Sequence, residues 1–288
     1  MASLRDIRRR IKSVKNTAQI TKAMQMVAAS KMRKAQEAAL NGRPYAELLN
    51  RVLVSLRDRV DSSLHPLLEK REVKGELVIL LSTDKGLCGG LNTNLFREAL
   101  NFDLATTQFI SVGRKGTQFL ARTKRNMIAD FALKDHPSFL ETKAISKFAI
   151  EKFLSRAVDK VTVLYPRFVN TLTQKPTALS LLPIASLEEA GLVGKELPLP
   201  EPEGGILFEP GAESILDAIV PYYVHYALYQ MVLATRASEH SARMVAMKSA
   251  TDNAKQLVKD LTLEYNKARQ AAITTELLEI STAQFALG

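Results

Sequence analysis

The residues with the most chemistry per unit length are Ser82-Thr83-Asp84-Lys85-Gly86-Leu87-Cys88-Gly89-Gly90-Leu91-Asn92, which set hydroxyls, a carboxylate, an ammonium and a thiol among three glycines. They fall between an apolar run and an amphipathic stretch, where an α/β layer offers helix N-terminal amides to a phosphate. The glycines stand at 86, 89 and 90, however, which matches neither the dinucleotide fingerprint nor the phosphate loop ending in Gly-Lys-Ser/Thr. A tight turn with close helix-to-strand packing explains them as well. Gly113-Arg114-Lys115-Gly116 repeats the pattern more weakly. Cys88, beside glycines at a helix start, has the setting for a lowered pKa and nucleophilic attack. Without a histidine near it in sequence, a small buried thiol is the better reading. His65, His136, His225 and His240 are isolated, and no carboxylate pair stands out as acid and base. These residues make no persuasive active site and call for no cofactor and no metal.

The elements around that turn alternate. Strands are expected over Leu77–Ser82, Gln108–Val112, Asn126–Phe131 and Lys160–Tyr165, and helices over Leu91–Asn101, Lys115–Arg122 and Thr142–Ala157. This rhythm predicts a Rossmann-like α/β domain with a mostly parallel sheet over residues 75–190, with Thr171–Leu182 added at an edge. Residues 191–211, rich in Pro, Gly and Glu, read as a linker.

Two long arms flank this domain. Residues 212–288 form one uninterrupted helical pattern, with no proline after Pro221 and no glycine before Gly288. Steps of three and four give Ile219, Tyr223, Tyr226, Gln230, Leu233, Ala237, His240, Met244, Met247, Thr251, Ala254, Val258, Leu261, Tyr265, Ala268, Ala272 and Thr275, apolar at all but four positions. That is a coiled-coil seam, and at about 1.5 Å per residue it makes a rod on the order of 100 Å long. Residues 1–65 supply a second seam at Leu4, Ile7, Ile11, Val14, Ala18, Thr21, Gln25, Ala28, Met32, Ala35 and Ala39. Ser3 followed by Asp6 reads as the cap of this helix, which continues after Asn41, Gly42 and Pro44 over Tyr45–Val60. The two seams are expected to pair as a long antiparallel coiled coil, a closed and unknotted arrangement. Separate packing on the middle domain, or dimerisation, would also bury them.

Composition narrows the classes. A hydrophobic content of 46% over 288 residues suits a soluble chain with a real core. No apolar run reaches the length of a membrane span, and Met1–Arg10 is a charged helix start rather than a signal peptide, so a cytoplasmic chain with no direct membrane span is expected. A single cysteine excludes an internal disulfide. The net charge of +10 is concentrated in residues 1–34, which hold ten Lys or Arg and one acid, Asp6. Such an arm grips nucleic acid, an anionic surface or an acidic protein collar. A basic coiled-coil nucleic-acid-binding protein is therefore the alternative class, though those residues lack the aromatics such proteins stack on bases. After Arg269 only Glu276 and Glu279 are charged, amid Leu277, Leu278, Ile280, Phe285 and Leu287. A tip that apolar suits a sleeve made by other chains.

Three separated, ordered stretches carry a resemblance: ITKAMQMVAASKMRK over Ile20–Lys34, DKGLCGGLN over Asp84–Asn92, and SARMVAMKSATDN over Ser241–Asn253 with YNKARQ over Tyr265–Gln270. The chain closely resembles the gamma subunits of F-type ATP synthases along essentially its whole length. The resemblance implies a non-catalytic rotor shaft, turned by the membrane c-ring in response to proton or sodium flow. Its coiled coil would sit inside the hexamer of alpha and beta subunits, with the epsilon subunit docked on the α/β domain. It also implies that Arg8, Arg9, Lys31, Arg33 and Lys34 face acidic surroundings, that Met24 lies near the beta region that transmits rotation, and that Arg269 and Gln270 contact a beta loop. The cysteine-bearing insertion of chloroplast relatives is missing, which favours a bacterial chain peripheral to the cytoplasmic face of the inner membrane. The ending Ser281–Gly288 departs from the expected tail, so its contacts do not carry over.

Overall fold

The computed structural model describes residues 3–42, 44–45, 48–49, 52, 65–184 and 211–286. Most of the helix expected over Tyr45–Val60 and all but the last residue of the expected linker 191–211 lie outside them. In chain order the elements are α1 (Leu4–Asn41), β1 (Glu76–Leu81), α2 (Leu91–Ala99), β2 (Thr107–Val112), α3 (Arg114–Arg122), β3 (Met127–Phe131), α4 (Phe139–Leu154), β4 (Lys160–Phe168), β5 (Gln174–Leu182) and α5 (Ala212–Ala286). They form two compact units, one of Met1–Ala28 with Arg243–Gly288 and one of Ala29–Ala242.

The larger unit is the α/β layer. Its sheet runs β3-β2-β1-β4-β5, with β1 parallel to both β2 and β4, β2 parallel to β3, and β5 antiparallel to β4 at the edge. The central strand reads Leu-Val-Ile-Leu-Leu without polar interruption because both its faces are covered. Leu77, Ile79 and Leu81 pack with Ile145, Ala149 and Phe153 of α4 and Val220, Val224 and Leu228 of α5. Val78 and Leu80 pack instead with Leu95 and Ala99 of α2 and Phe119 and Leu120 of α3.

Several boundaries differ from the sequence expectation by one to three residues, and two of the shifts have a visible cause. Helix α4 starts three residues earlier than Thr142, because Ser138 and Glu141 form a reciprocal capping box that satisfies two otherwise orphaned amides. Strand β4 runs past Tyr165 to Phe168 despite Pro166. Its pairing with β1 ends at Leu164, so the missing proline N–H faces no partner there, and β5 carries the ladder on.

In the smaller unit the terminal helices wind together antiparallel. Ser3 caps α1 by accepting from the Arg5 amide at 3.3 Å. On α1, Ile7, Thr21 and Ala28 are buried, spaced by whole heptads, and Leu4, Ile11, Val14, Ala18 and Gln25 are half-buried between them. On α5 the buried set is Met247, Thr251, Ala254 and Leu261, again at steps of three, four and seven. The helices are joined by a bond between the Thr21 and Thr251 hydroxyls at 2.7 Å, which places two of the few polar seam residues against each other.

Candidate functional site

The glycine-rich turn after β1 sits at the carboxyl edge of the sheet, where order reverses between β2 and β4, the usual ligand crevice of such a layer. Its polar groups are turned inward. The first three amides of α3, those that would grip an anion, are already engaged: Arg114 N with Asp84 Oδ1 at 3.2 Å, Lys115 N with the Thr83 carbonyl at 3.0 Å, and Gly116 N with Ser82 Oγ at 2.8 Å. Gly113, at φ 101°, and Gly116 are needed for close approach, since a Cβ would come within 2.4 Å of the Ser82 carbonyl at the first and 2.7 Å of Ser82 Oγ at the second. Gly113 and Gly116 therefore serve packing, whereas Gly86 and Gly90 have room for a Cβ and Gly89 takes φ 59° in the turn. Cys88 is buried, and its sulfur lies 3.5 Å from Asn92 Nδ2, which also donates to Thr83 Oγ1 at 2.7 Å. The geometry is that of a turn brace rather than an exposed nucleophile.

The crevice is instead closed by a side chain from α5 that the sequence reading passed over. Arg236, 5% exposed, donates through Nη1 to Glu239 Oε2 at 2.9 Å. Through Nη2 it reaches Asp84 Oδ2 at 3.2 Å, the Leu133 carbonyl at 2.9 Å and the Lys134 carbonyl at 3.2 Å. One guanidinium thus ties α5 to the turn after β1 and the segment after β3. Next to it, Lys31 of α1 pairs with Asp135. That hydrogen bond, foremost, and then the charges of Lys31, Arg236 and His240 hold the Asp135 carboxyl below the ordinary range. The signal in the sequence is an i,i+3 Arg–Glu pair among Thr235, Ser238, His240 and Ser241, just after the apolar run Met231–Ala234.

Further contacts fasten α5 elsewhere. Ser238 Oγ donates to the Pro166 carbonyl at 2.8 Å and Ser241 Oγ to the Thr171 carbonyl at 2.7 Å. His225 Nδ1 lies 2.7 Å from Ser146 Oγ of α4, and burial, then Lys143, lowers its pKa. His65 is likewise lowered by burial, against the opposing pull of Asp217. Both imidazoles are packed structural groups. Among the described residues no group of three or more His, Cys, Asp or Glu is placed to hold a metal, and no helix is long and apolar enough to cross a membrane.

The residues assigned to partner contact fall in two sets. Arg8, Arg9, Met24, Arg269 and Gln270 belong to the paired-helix unit, Lys31 and Arg33 to the α/β unit. Arg8, Arg33, Arg269 and Gln270 are exposed, Met24 is half-buried, and Arg9 is exposed with a 3.1 Å bond to Asp6. Lys31, by contrast, is engaged by this chain's own Asp135. Eighteen residues back from Thr21 along α1 is Ser3, and eighteen forward from Thr251 along α5 is Arg269. With equal rise in both helices, Arg269 and Gln270 stand level with the N-terminal start of α1, and α5 runs on to Ala286, past the described residues of α1. There Ile273, Leu277, Leu278 and Ile280 are exposed.

Comparison with known proteins places these features in a family. The family model for ATP synthase matches residues 3–287. An ATP synthase gamma chain from Opitutus terrae is 53% identical over 292 residues, covering 99% of both chains, and one from Methylacidiphilum infernorum is 51% identical over 296 residues, covering all of both. Among solved structures, the Tetrahymena thermophila mitochondrial ATP synthase central stalk/c-ring contains a chain 28% identical, with a TM-score of 0.63 over 80% of this chain and 99% of that one. A chain of the Euglena gracilis mitochondrial ATP synthase, 21% identical, shares the fold at a TM-score of 0.67 over 99% of this chain and 94% of its own. The chain belongs to the ATP synthase gamma chain family.

Proposed function

We propose that the chain is the central stalk of a proton-translocating F-type ATP synthase: a shaft that carries rotation of the membrane c-ring to the hexamer of alpha and beta subunits and performs no bond chemistry itself. One observation carries this reading: two terminal helices locked along a narrow heptad seam leave their outer faces, and an apolar end from Ile273 to Ile280, exposed. A two-helix rod resists twisting better than one helix, and an exposed apolar end of this kind asks for a surrounding sleeve.

In this reading Arg8, Arg9 and Arg33 face acidic surroundings while Lys31 is held by Asp135, Met24 lies close to the beta region that senses rotation, and Arg269 and Gln270 contact a beta loop. The epsilon subunit docks on the α/β domain. The functional division is 1–65 and 212–288 for the axle, 75–190 for the domain that receives torque, and 191–211 as linker. The protein is peripheral, at the cytoplasmic face of a bacterial inner membrane, held there by its partners.

The test is recovery of the tagged chain with its membrane. Nucleotide-binding alpha and beta subunits are expected in threefold excess over it. Recovery without them, with salt-sensitive nucleic-acid binding in a filter assay, would favour the basic coiled-coil class and overturn the rotor reading.

A further inference from the structure

A shaft works only if the domain that is pushed cannot turn around the helix it holds. Apolar packing alone is a poor defence against such slip, because it is non-directional. Between Tyr223 and Leu233 α5 presents mostly apolar side chains, His225 bonded to Ser146 and Gln230 bonded to Tyr226 apart, so a rotated helix would still bury mainly apolar surface. The next turns differ in kind: Thr235, Arg236, Ser238, Glu239, His240 and Ser241 are all buried.

The bonds of this polar stretch leave the helix in different directions. Arg236 reaches the turn after β1 and the segment after β3, whereas Ser238 reaches Pro166 of β4. At 3.6 residues per turn those two positions point about 200° apart, on opposite sides of the helix. Ser241, bonded to Thr171 beyond β4, points in a third direction. Rotation of α5 in its seat would break bonds on both sides at once. It would also strand the buried Glu239 carboxylate, and the half-buried one of Asp84, beside a displaced guanidinium, the costly outcome for a buried ion pair. Lys31, held by Asp135 in the residue pair that follows Leu133 and Lys134, fastens α1 to the same segment.

The geometry points to Arg236, with Asp84 and Glu239, as an anti-rotation grip: the positioning residue that makes torque applied to the α/β domain turn α5 instead of slipping around it. This rests on the rotor reading above. Arg236 is not a catalytic residue; it acts through the helix it holds. A lysine in its place keeps the charge but offers one ammonium in place of a planar fork, and cannot span a carboxylate on one side and two carbonyls on the other.

The test uses the whole reconstituted ATP synthase in vesicles carrying Arg236→Lys, with Arg125→Lys as a matched control. Arg125 also bridges two main-chain carbonyls, of Phe102 and Leu100, but away from α5. ATP hydrolysis, ions pumped per ATP hydrolysed and the melting temperature are read for each. Arg236→Lys is expected to lower pumping per ATP severalfold while hydrolysis persists, and Arg125→Lys to leave the ratio unchanged at a comparable melting shift. Should Arg236→Lys fail to assemble, Glu239→Gln replaces it, with the same direction and a smaller loss expected. Unchanged pumping per ATP, or a loss that merely follows melting temperature in both variants, overturns the grip alone. Failure of the unaltered chain to support any pumping overturns the rotor reading and the grip with it.

Discussion

The two halves of α5 obey different rules. From Tyr223 to Ser241 nearly every residue is buried, whichever way it points, whereas from Met247 to Leu261 only Met247, Thr251, Ala254 and Leu261 are. The first half lives in a domain interior and the second in the shallow seam of a two-helix rod. The helix is continuous, so composition must change along it to suit each setting. Tyrosines, valines and leucines fill the first; on the seam of the second Thr251, Ala254, Ala268 and Ala272 recur, where small residues let two backbones approach. Specific bonds do different work as well. In the interior half they reach outward to strands and loops, and in the seam the Thr21–Thr251 hydroxyl pair joins the helices.

Substitutions break or sharpen this contrast to graded extents. The largest effect is expected from Leu228→Asp, which sets an unpaired carboxylate where no water reaches. A loss of about 4–5 kcal/mol or more, read as failure of the isolated chain to fold cooperatively in denaturant, is the expected result. A mild loss would mean the interior half is not interior. Next comes Ala254→Pro, in the seam half, which removes a helix hydrogen bond and kinks the rod at about 3 kcal/mol or more. Vesicles carrying it are expected to pass ions without making ATP, and normal synthesis would count against a stiff shaft. Thr251→Val should be milder, about 0.5–1.5 kcal/mol by thermal melting, because it removes the hydroxyl bond to Thr21 and the local one to the Met247 carbonyl at nearly constant volume. A gain in stability would show that the hydroxyl pair is not a net contributor. Arg269→Ala, on the exposed stretch of α5 level with the start of α1, should leave the melting of the isolated chain unchanged yet weaken rotation in the complex. Unchanged rotation and hydrolysis there would remove Arg269 from the contact set.

Much of this was legible before any coordinates, and the reason is periodicity. The strands of the sheet announced themselves as apolar runs, and the α1 seam named from spacing contains no exposed residue among Leu4, Ile7, Ile11, Val14, Ala18, Thr21, Gln25, Ala28, Met32, Ala35 and Ala39. On α5 the same spacing holds as far as Ala272 and fails at Thr275, past the described residues of α1. The start of α4 was misplaced although its signal, Ser138 three residues before Glu141, was in plain view.

The candidate site was less legible. The turn at 82–92 lies where a phosphate cradle would sit although its glycines match no such pattern, and only the coordinates reveal that Ser82, Thr83 and Asp84 engage the first amides of the neighbouring α3. Arg236 gave little warning, since its partners lie 152, 103 and 102 residues away in sequence. What the chain's order of residues determined by itself was local: which segments are helix or strand, and which face of each is apolar, because those depend on neighbours three, four or two positions away. What only the tertiary structure decided was which distant polar groups meet, because burial makes a charge choose its partners by distance in space, and sequence spacing does not encode that distance.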